Sequence, residues 1–308
     1  MTLQTADFPW LTEGFTRVIQ QLRQGTLGHA LLIGVEQGLG GAVLANDIAA
    51  AACCLQPSAL GACGHCKSCQ LFNAGNHPDC YPVRADGNQI KVDQIRELCQ
   101  KLTATAQQGG RRIAVIYECE RMNTAAANAL LKTLEEPGKE TLLILQSQTP
   151  GRLLPTISSR CQRLKFVAPD LTTLAQWLTR HWGIEEDILW ALPVVGGPLP
   201  LAEAWQNGRY QQLLALRQDW RRSLTSGHLQ GHLLELNEEN MIEALNILYL
   251  VLRARLTAPG ALSPFVRNRI GALAGDVMLQ CHQLQLMGNV NYMALCQRFV
   301  TDYRAIAQ

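Results

Sequence analysis

An α/β protein with a doubly wound parallel sheet, followed by all-helical segments, is what this amino-acid sequence predicts, and three observations carry that expectation. Ala30-Leu31-Leu32-Ile33, Ile113 to Tyr117 and Leu142 to Gln146 are short, almost uninterrupted apolar runs. Strands buried on both faces of a parallel sheet read this way. Between them lie helical patterns, and strands alternating with helices imply βαβ units. Beyond Arg209 only helical periodicity remains.

The first strand runs into Gly34-Val35-Glu36-Gln37-Gly38-Leu39-Gly40-Gly41-Ala42 and then into a helical run from Val43 to Ala52. Strand, glycine-rich turn and helix form the frame of a phosphate-binding loop, where backbone N–H groups and a helix N-terminus cradle phosphates. The chemistry has been removed from the frame. Val35 stands at the first glycine position, Gly41 where a lysine would reach the β- and γ-phosphates, and Ala42 where a hydroxyl would hold Mg²⁺. A loop of Gly38, Gly40, Gly41 and Ala42 is therefore expected to keep its shape and to bind no nucleotide. The strand from Ile113 continues into Tyr117-Glu118, whereas an active ATPase of this type would carry Asp-Glu, the Asp on the metal side. That is a second, independent loss in the same site.

The apolar spacing at Val92, Ile95, Leu98 and Leu102 predicts a helix. Asn123 or Thr124 can cap another that runs to Glu136, where Pro137 ends it. The third strand leads to Pro150-Gly151-Arg152 and on to Ser158-Ser159-Arg160-Cys161. A single arginine is commonly a solvated surface charge. Its planar fork nevertheless suits phosphate, and a chain that holds no ATP can supply that fork to a neighbour's nucleotide.

Cys63-Gly64-His65-Cys66-Lys67-Ser68-Cys69 is a C-x₂-C-x₂-C run with Cys54 upstream. Four thiolates fit a tetrahedral structural Zn²⁺ site, and Gly64 permits the turn that directs thiols inward. An iron–sulfur run would place a fourth Cys and a Pro close behind, and Gln70-Leu71-Phe72 follows instead. Spacing favours Cys54 as the fourth ligand over Cys53, His65, His77 and Cys80. Buried free thiols are the alternative.

From Asp170 to about Gly208 the pattern turns helical with Gly196-Gly197-Pro198 and Pro200 as interruptions. Further on, stripes are expected at Leu213, Leu214, Leu216, Trp220 and Leu224, then from Met241 to Leu256, then from Met278 to Leu286. Breaks fall at Thr257 to Gly260 and at Gly288-Asn289. The expected organisation is an α/β core over 1–168 with a cysteine module at about 53–80, a small helical domain over 169–208, and a helical domain over 209–308.

Composition bounds the function. The 308 residues are 47% hydrophobic and 17% charged, with 27 basic against 25 acidic side chains. No long segment departs far from neutrality, which argues against a stand-alone nucleic-acid-binding protein built around zinc. Met1 to Trp10 contains Asp7 and Pro9 and lacks a basic region followed by an apolar core, and the longest uncharged apolar run, Ile48 to Leu55, is far short of a membrane span. A cytoplasmic location is expected. In that compartment eleven cysteines point to metal binding or buried thiols.

The stretch Asn128-Ala129-Leu130-Leu131-Lys132-Thr133-Leu134-Glu135-Glu136-Pro137, the Ser159-Arg160-Cys161 triplet, the Cys54/Cys63/Cys66/Cys69 spacing and Ile90-Lys91-Val92-Asp93 resemble bacterial clamp-loader subunits of the AAA+ class. The degenerate loop separates the chain from the ATP-hydrolysing gamma/tau type and makes it similar to the delta-prime branch of that family. The resemblance covers nearly all of 10–170 and rests beyond 210 on size and helical content. It implies an AAA+ module with a zinc-binding insertion, a helical lid, and a helical collar through which subunits assemble. It also implies a pentamer with gamma/tau and delta subunits that opens the beta sliding clamp and places it on primed DNA, within a holoenzyme that is a DNA-directed DNA polymerase. Arg160 would be the finger that completes a neighbour's ATP site. The lid stretch Gly196-Gly197-Pro198-Leu199 lacks the sensor arginine of the active subunits, consistent with a dead site. On this reading the chain carries structural zinc, no nucleotide, and no ATPase activity of its own.

Overall fold

The computed structural model of the chain describes residues 3–108, 110–258, 260, 262–284 and 290–307. By its internal contacts the chain divides into two compact units, Met1–Leu174 and Ala175–Gln308.

The first unit is built on a five-stranded sheet of β1 (Ala30–Gly34), β2 (Cys80–Val83), β3 (Arg112–Ile116), β4 (Thr141–Ser147) and β5 (Gln162–Leu164), in the order β2-β3-β4-β1-β5. Every neighbouring pair is parallel. The expected doubly wound sheet is present, and its three inner strands are the three apolar runs, β1 extended by one residue, β3 shifted by one, and β4 extended by one at each end. Tyr117 lies just past the end of β3 instead of within it.

The helices of this unit are α1 (Pro9–Gln24), α2 (Gly41–Cys53), α3 (Lys67–Asn73), α4 (Val92–Thr103), α5 (Thr124–Glu135) and α6 (Pro155–Ser158). Successive residues of a strand point to opposite faces. Leu32, Ala114, Ile116, Leu143 and Leu145 meet Ile95, Leu98 and Leu102 of α4 and Leu130 and Leu134 of α5 in one buried cluster. The Asn123 side chain caps α5 by accepting the Ala126 N–H at 2.8 Å, and the helix ends two residues before Pro137.

Sequence reasoning passed over α1, α3, α6 and the two edge strands. Helix α1 opens on Pro9 and closes on Gly25 in the left-handed region, a start and a stop that could have been read. The strands β2 and β5 are the two edges of the sheet. An edge strand is solvated along one side, so it needs no apolar run. It can also tolerate Pro82, which donates no ladder hydrogen bond.

The second unit begins within α7 (Leu171–Trp182) and continues with α8 (Leu192–Val195), α9 (Pro198–Gln206), α10 (Arg209–Ser226), α11 (Glu238–Thr257), α12 (Pro264–Leu284) and α13 (Tyr292–Ala307). Helices α9 and α10 pack on one another, and the Trp190 indole donates to the Tyr210 hydroxyl at 3.1 Å. The residues on either side of 208 thus share a core. The expected stripe on α10 is buried at Leu213, Leu216, Trp220 and Leu224, while Leu214 is only half-buried. The stripe expected from Met278 is corrected. On α12 the buried positions are Ile270, Leu273, Ala274, Val277 and Cys281, whereas Met278 and Leu279 are exposed. Leu286, Pro259, Gly288 and Asn289 lie outside the described residues. Among the described residues no helix is long and apolar enough to cross a membrane.

Trp220 is the largest fully buried side chain, and its indole N–H donates to the Ala244 carbonyl at 2.8 Å. Trp220→Ala should therefore cost about 3–5 kcal/mol through the cavity it leaves, as read by denaturant unfolding. A loss under about 1 kcal/mol would mean that α10 and α11 repack without it.

Candidate functional site

The phosphate loop runs from the end of β1 to the start of α2, and the chain's own side chains fill it. Val35 and Leu39 are buried, and the Val35 N–H donates to the Ser147 carbonyl at 3.1 Å. A Cβ added at Gly41 would lie 2.9 Å from the Val35 Cβ and 3.3 Å from the Gln146 Nε2. Gly40 caps α2 in the left-handed region (φ 88°), and a Cβ there would come within 2.9 Å of the Phe8 ring.

The chain at the start of α1 and just before it is fastened over this loop. Trp10 donates its indole N–H to the Leu39 carbonyl at 2.8 Å, and Phe8 packs edge-on against Trp10. Thr5 donates its backbone N–H and its hydroxyl to the Asp47 carboxylate on α2, at 2.7 and 2.8 Å. Burial pushes the Asp47 carboxyl above its usual range, against those two hydrogen bonds. The space left beside the loop is a cavity of about 260 Å³ walled mainly by Trp10, Val35, Leu39, Pro150 and Phe166, with Glu36 and no basic side chain at its lining. A triphosphate would meet a carboxylate there and no compensating cation.

The metal side is equally committed to structure. Tyr117 is buried with the Arg84 guanidinium 3.7 Å from its ring centroid. Glu118 sits in the left-handed region (φ 48°), pairs with Arg121 at 2.7 Å, and donates its N–H to the Gln146 side-chain oxygen at 3.0 Å. Phe8, Trp10 and Gln146 are the loop contacts that sequence reasoning missed, whereas Val35 was legible because a branched side chain stands where the loop calls for glycine.

The cysteine module joins the end of α2 to α3. Cys54 caps the C-terminus of α2, Gly64 takes φ 79°, and Cys66 is the N-cap of α3, its sulfur accepting the Cys69 N–H at 3.4 Å. The Sγ atoms of Cys54, Cys63, Cys66 and Cys69 all lie within 4.8 Å of one another. The Cys54–Cys66 and Cys63–Cys69 separations are 4.0 and 3.9 Å. A tetrahedron with metal–sulfur bonds of about 2.3 Å has edges of about 3.8 Å, so the four thiols are spaced for one ion of zinc's size. His65 and His77 are engaged elsewhere, the first with the Cys63 carbonyl at 2.8 Å and the second with the Ser68 hydroxyl at 2.6 Å.

The free thiols are electrostatically uneven. Burial pushes Cys66 up, but hydrogen bonds from the Cys69 and Leu55 backbone and from neighbouring thiols outweigh it and draw the group down to about 6. Burial, with the Cys66 hydrogen bond, pushes Cys69 up to about 12. Four thiolates this close need a cation among them.

Arg160 follows α6 and stands half-exposed. Its Nη1 donates to the Thr156 carbonyl at 2.8 Å, and its Nη2 pairs with the Glu135 carboxylate at 2.6 Å. Gly196 and Gly197 take positive φ values of 87° and 122° ahead of α9, in the second unit.

A family model described as DNA polymerase III, delta subunit, matches residues 11–170. The DNA polymerase III subunit delta' of Escherichia coli K12 is 33% identical over 305 residues, which is 92% of this chain and 91% of that one. Subunit delta' of Haemophilus influenzae is 38% identical over 220 residues, 70% of this chain and 67% of its own. Subunit delta' of Pseudomonas aeruginosa is 46% identical over 184 residues, 59% and 56% respectively. Among solved structures, a gamma subunit-related protein of DNA polymerase III from Thermotoga maritima superposes with a TM-score of 0.50 at 16% identity, over 96% of this chain and 99% of that one. At that identity the likeness speaks for the fold.

Proposed function

The chain belongs to the delta-prime family of DNA polymerase III subunits, and from that membership we propose that it is the nucleotide-inert member of a clamp loader. It assembles with gamma/tau and delta subunits and helps to place the beta sliding clamp on primed DNA in the cytoplasm. It hydrolyses no ATP by itself and presents Arg160 to the ATP bound by a neighbouring subunit. Cys54, Cys63, Cys66 and Cys69 hold a structural Zn²⁺ that ties α2 to α3. Residues 1–168 act as the AAA+ module, 169–208 as its lid and 209–308 as the collar through which the subunits join.

One observation carries the inert reading. Val35 fills the loop against Gly41, where a functional loop would leave room for phosphate and extend a lysine. Exposed Arg160 supports the second half, because a permanently charged fork at the surface has no substrate within its own chain.

Calorimetric titration of the isolated chain with Mg²⁺-ATP and with ADP should detect no micromolar binding. Gly41→Lys with Ala42→Thr should remain inert, because any side chain at 41 presses on Val35. Adding Val35→Gly should open the loop and admit ATP. Hydrolysis should still fail, since buried Tyr117 replaces the metal-side carboxylate. Tight ATP binding by the natural chain would overturn the reading.

A further inference from the structure

The Glu135-Glu136-Pro137 end of α5 does more than stop a helix. Glu135 lies 25 positions before Arg160 in sequence, yet its carboxylate meets the Arg160 guanidinium at 2.6 Å while the Thr156 carbonyl takes a second N–H at 2.8 Å. A guanidinium has five N–H donors in one plane. Two anchors on different nitrogens, from two different segments, fix both the position and the tilt of that plane. Three donors remain uncommitted, and the side chain keeps 36% of its exposure, so one edge of the fork is free for a ligand. An arginine used as a plain surface charge gains little from such a clamp, because half-exposed pairs are screened and lose side-chain entropy.

We propose that Glu135 is a positioning residue for Arg160, holding the guanidinium in the plane that receives a phosphate oxygen of a neighbouring subunit's nucleotide. This rests on the trans-arginine reading above. The held fork approaches phosphate already ordered, so less is lost per hydrogen bond when it engages. The Glu135 charge itself opposes phosphate, being an anion near an anion. Two effects of opposite sign therefore meet in one substitution. Removing the charge favours ATP binding by simple Coulomb attraction, whereas removing the anchor slows the chemical step. Both groups are half-exposed and the Coulomb effect is screened by salt, so the loss of alignment should dominate.

Glu135→Gln and Glu135→Asp in the full chain decide the matter. In the free chain, the order parameter of the Arg160 Nε–H measured by NMR should fall in Glu135→Gln, and partly so in Glu135→Asp. An unchanged order parameter would overturn the proposal without touching the trans-arginine reading. In the assembly with gamma/tau and delta, Glu135→Gln should leave melting and assembly unaltered and lower the DNA-stimulated kcat by about tenfold, with little change in KM for ATP. Glu135→Asp should recover part of the loss. In an Arg160→Ala background, Glu135→Gln should cost nothing further. An equal loss in both backgrounds would make Glu135 merely structural, and a faster rate for Glu135→Gln would make it a competitor of phosphate; either overturns the proposal. If Arg160→Ala itself changes no rate, the trans-arginine reading fails first.

Discussion

Arg160→Ala should leave the fold, metal content and assembly of the chain intact, yet slow ATP hydrolysis at the site it serves by about 10³-fold. The two halves of that expectation have different physical origins. Arg160 and Glu135 keep 36% and 50% of their side-chain exposure, and a pair so solvated contributes at most about 1 kcal/mol to stability. A guanidinium aimed at the charge developing on a transferred phosphoryl group acts where water is excluded and is worth far more. Arg160→Lys should be nearly as damaging, because an ammonium offers a point charge and no planar fork. The measurements are steady-state ATPase activity and clamp loading by the reconstituted assembly with primed DNA. Wild-type rates in both variants would reduce Arg160 to an ordinary surface charge.

Loss of the metal should have a large effect on the stability of the first unit. The purified chain should carry one Zn²⁺, and Cys66→Ser or prolonged chelation should remove it. Apparent binding energies of structural zinc run to about 10–16 kcal/mol. If about 4 kcal/mol of that supports the first unit, its thermal midpoint should fall by about 10 °C. The ion must displace a proton from every thiol that still holds one. Occupancy is therefore highest at neutral and alkaline pH and declines as pH falls. Cys66, at about 6, is the thiol most readily ionised, and Cys69, at about 12, the least. Release should accelerate as pH falls into the acid range, where protons compete with the ion for the thiolates. A chromogenic chelator followed across that range reports it. Cys53→Ser should keep its zinc, since that thiol lies outside the cluster of four sulfurs. Elemental analysis finding no zinc after metal-replete expression would refute the assignment.

The amino-acid sequence by itself determined the inner sheet and what its loop lacks. Strands buried on both faces must be apolar throughout, so Ala30–Ile33, Ile113–Ile116 and Leu142–Gln146 announce themselves. The missing lysine and hydroxyl at Gly41 and Ala42 are matters of residue identity, legible without coordinates. The C-x₂-C-x₂-C run is legible for the same reason, because spacing within one turn dictates geometry. Spacing favoured Cys54 as the fourth sulfur, and the fold brings it to the other three while its neighbour Cys53 stays outside, since adjacent positions at a helix end point about 100° apart. Two things were left to the tertiary structure. Edge strands β2 and β5 exist because the sheet supplies a partner, while solvent on their open side removes the apolar signal. The packing of Phe8 against Gly40, the wedge of Val35 against Gly41 and the clamp of Glu135 on Arg160 are meetings of distant or turned segments. Local periodicity reports which face of an element is buried, and only the assembled fold decides what that face touches.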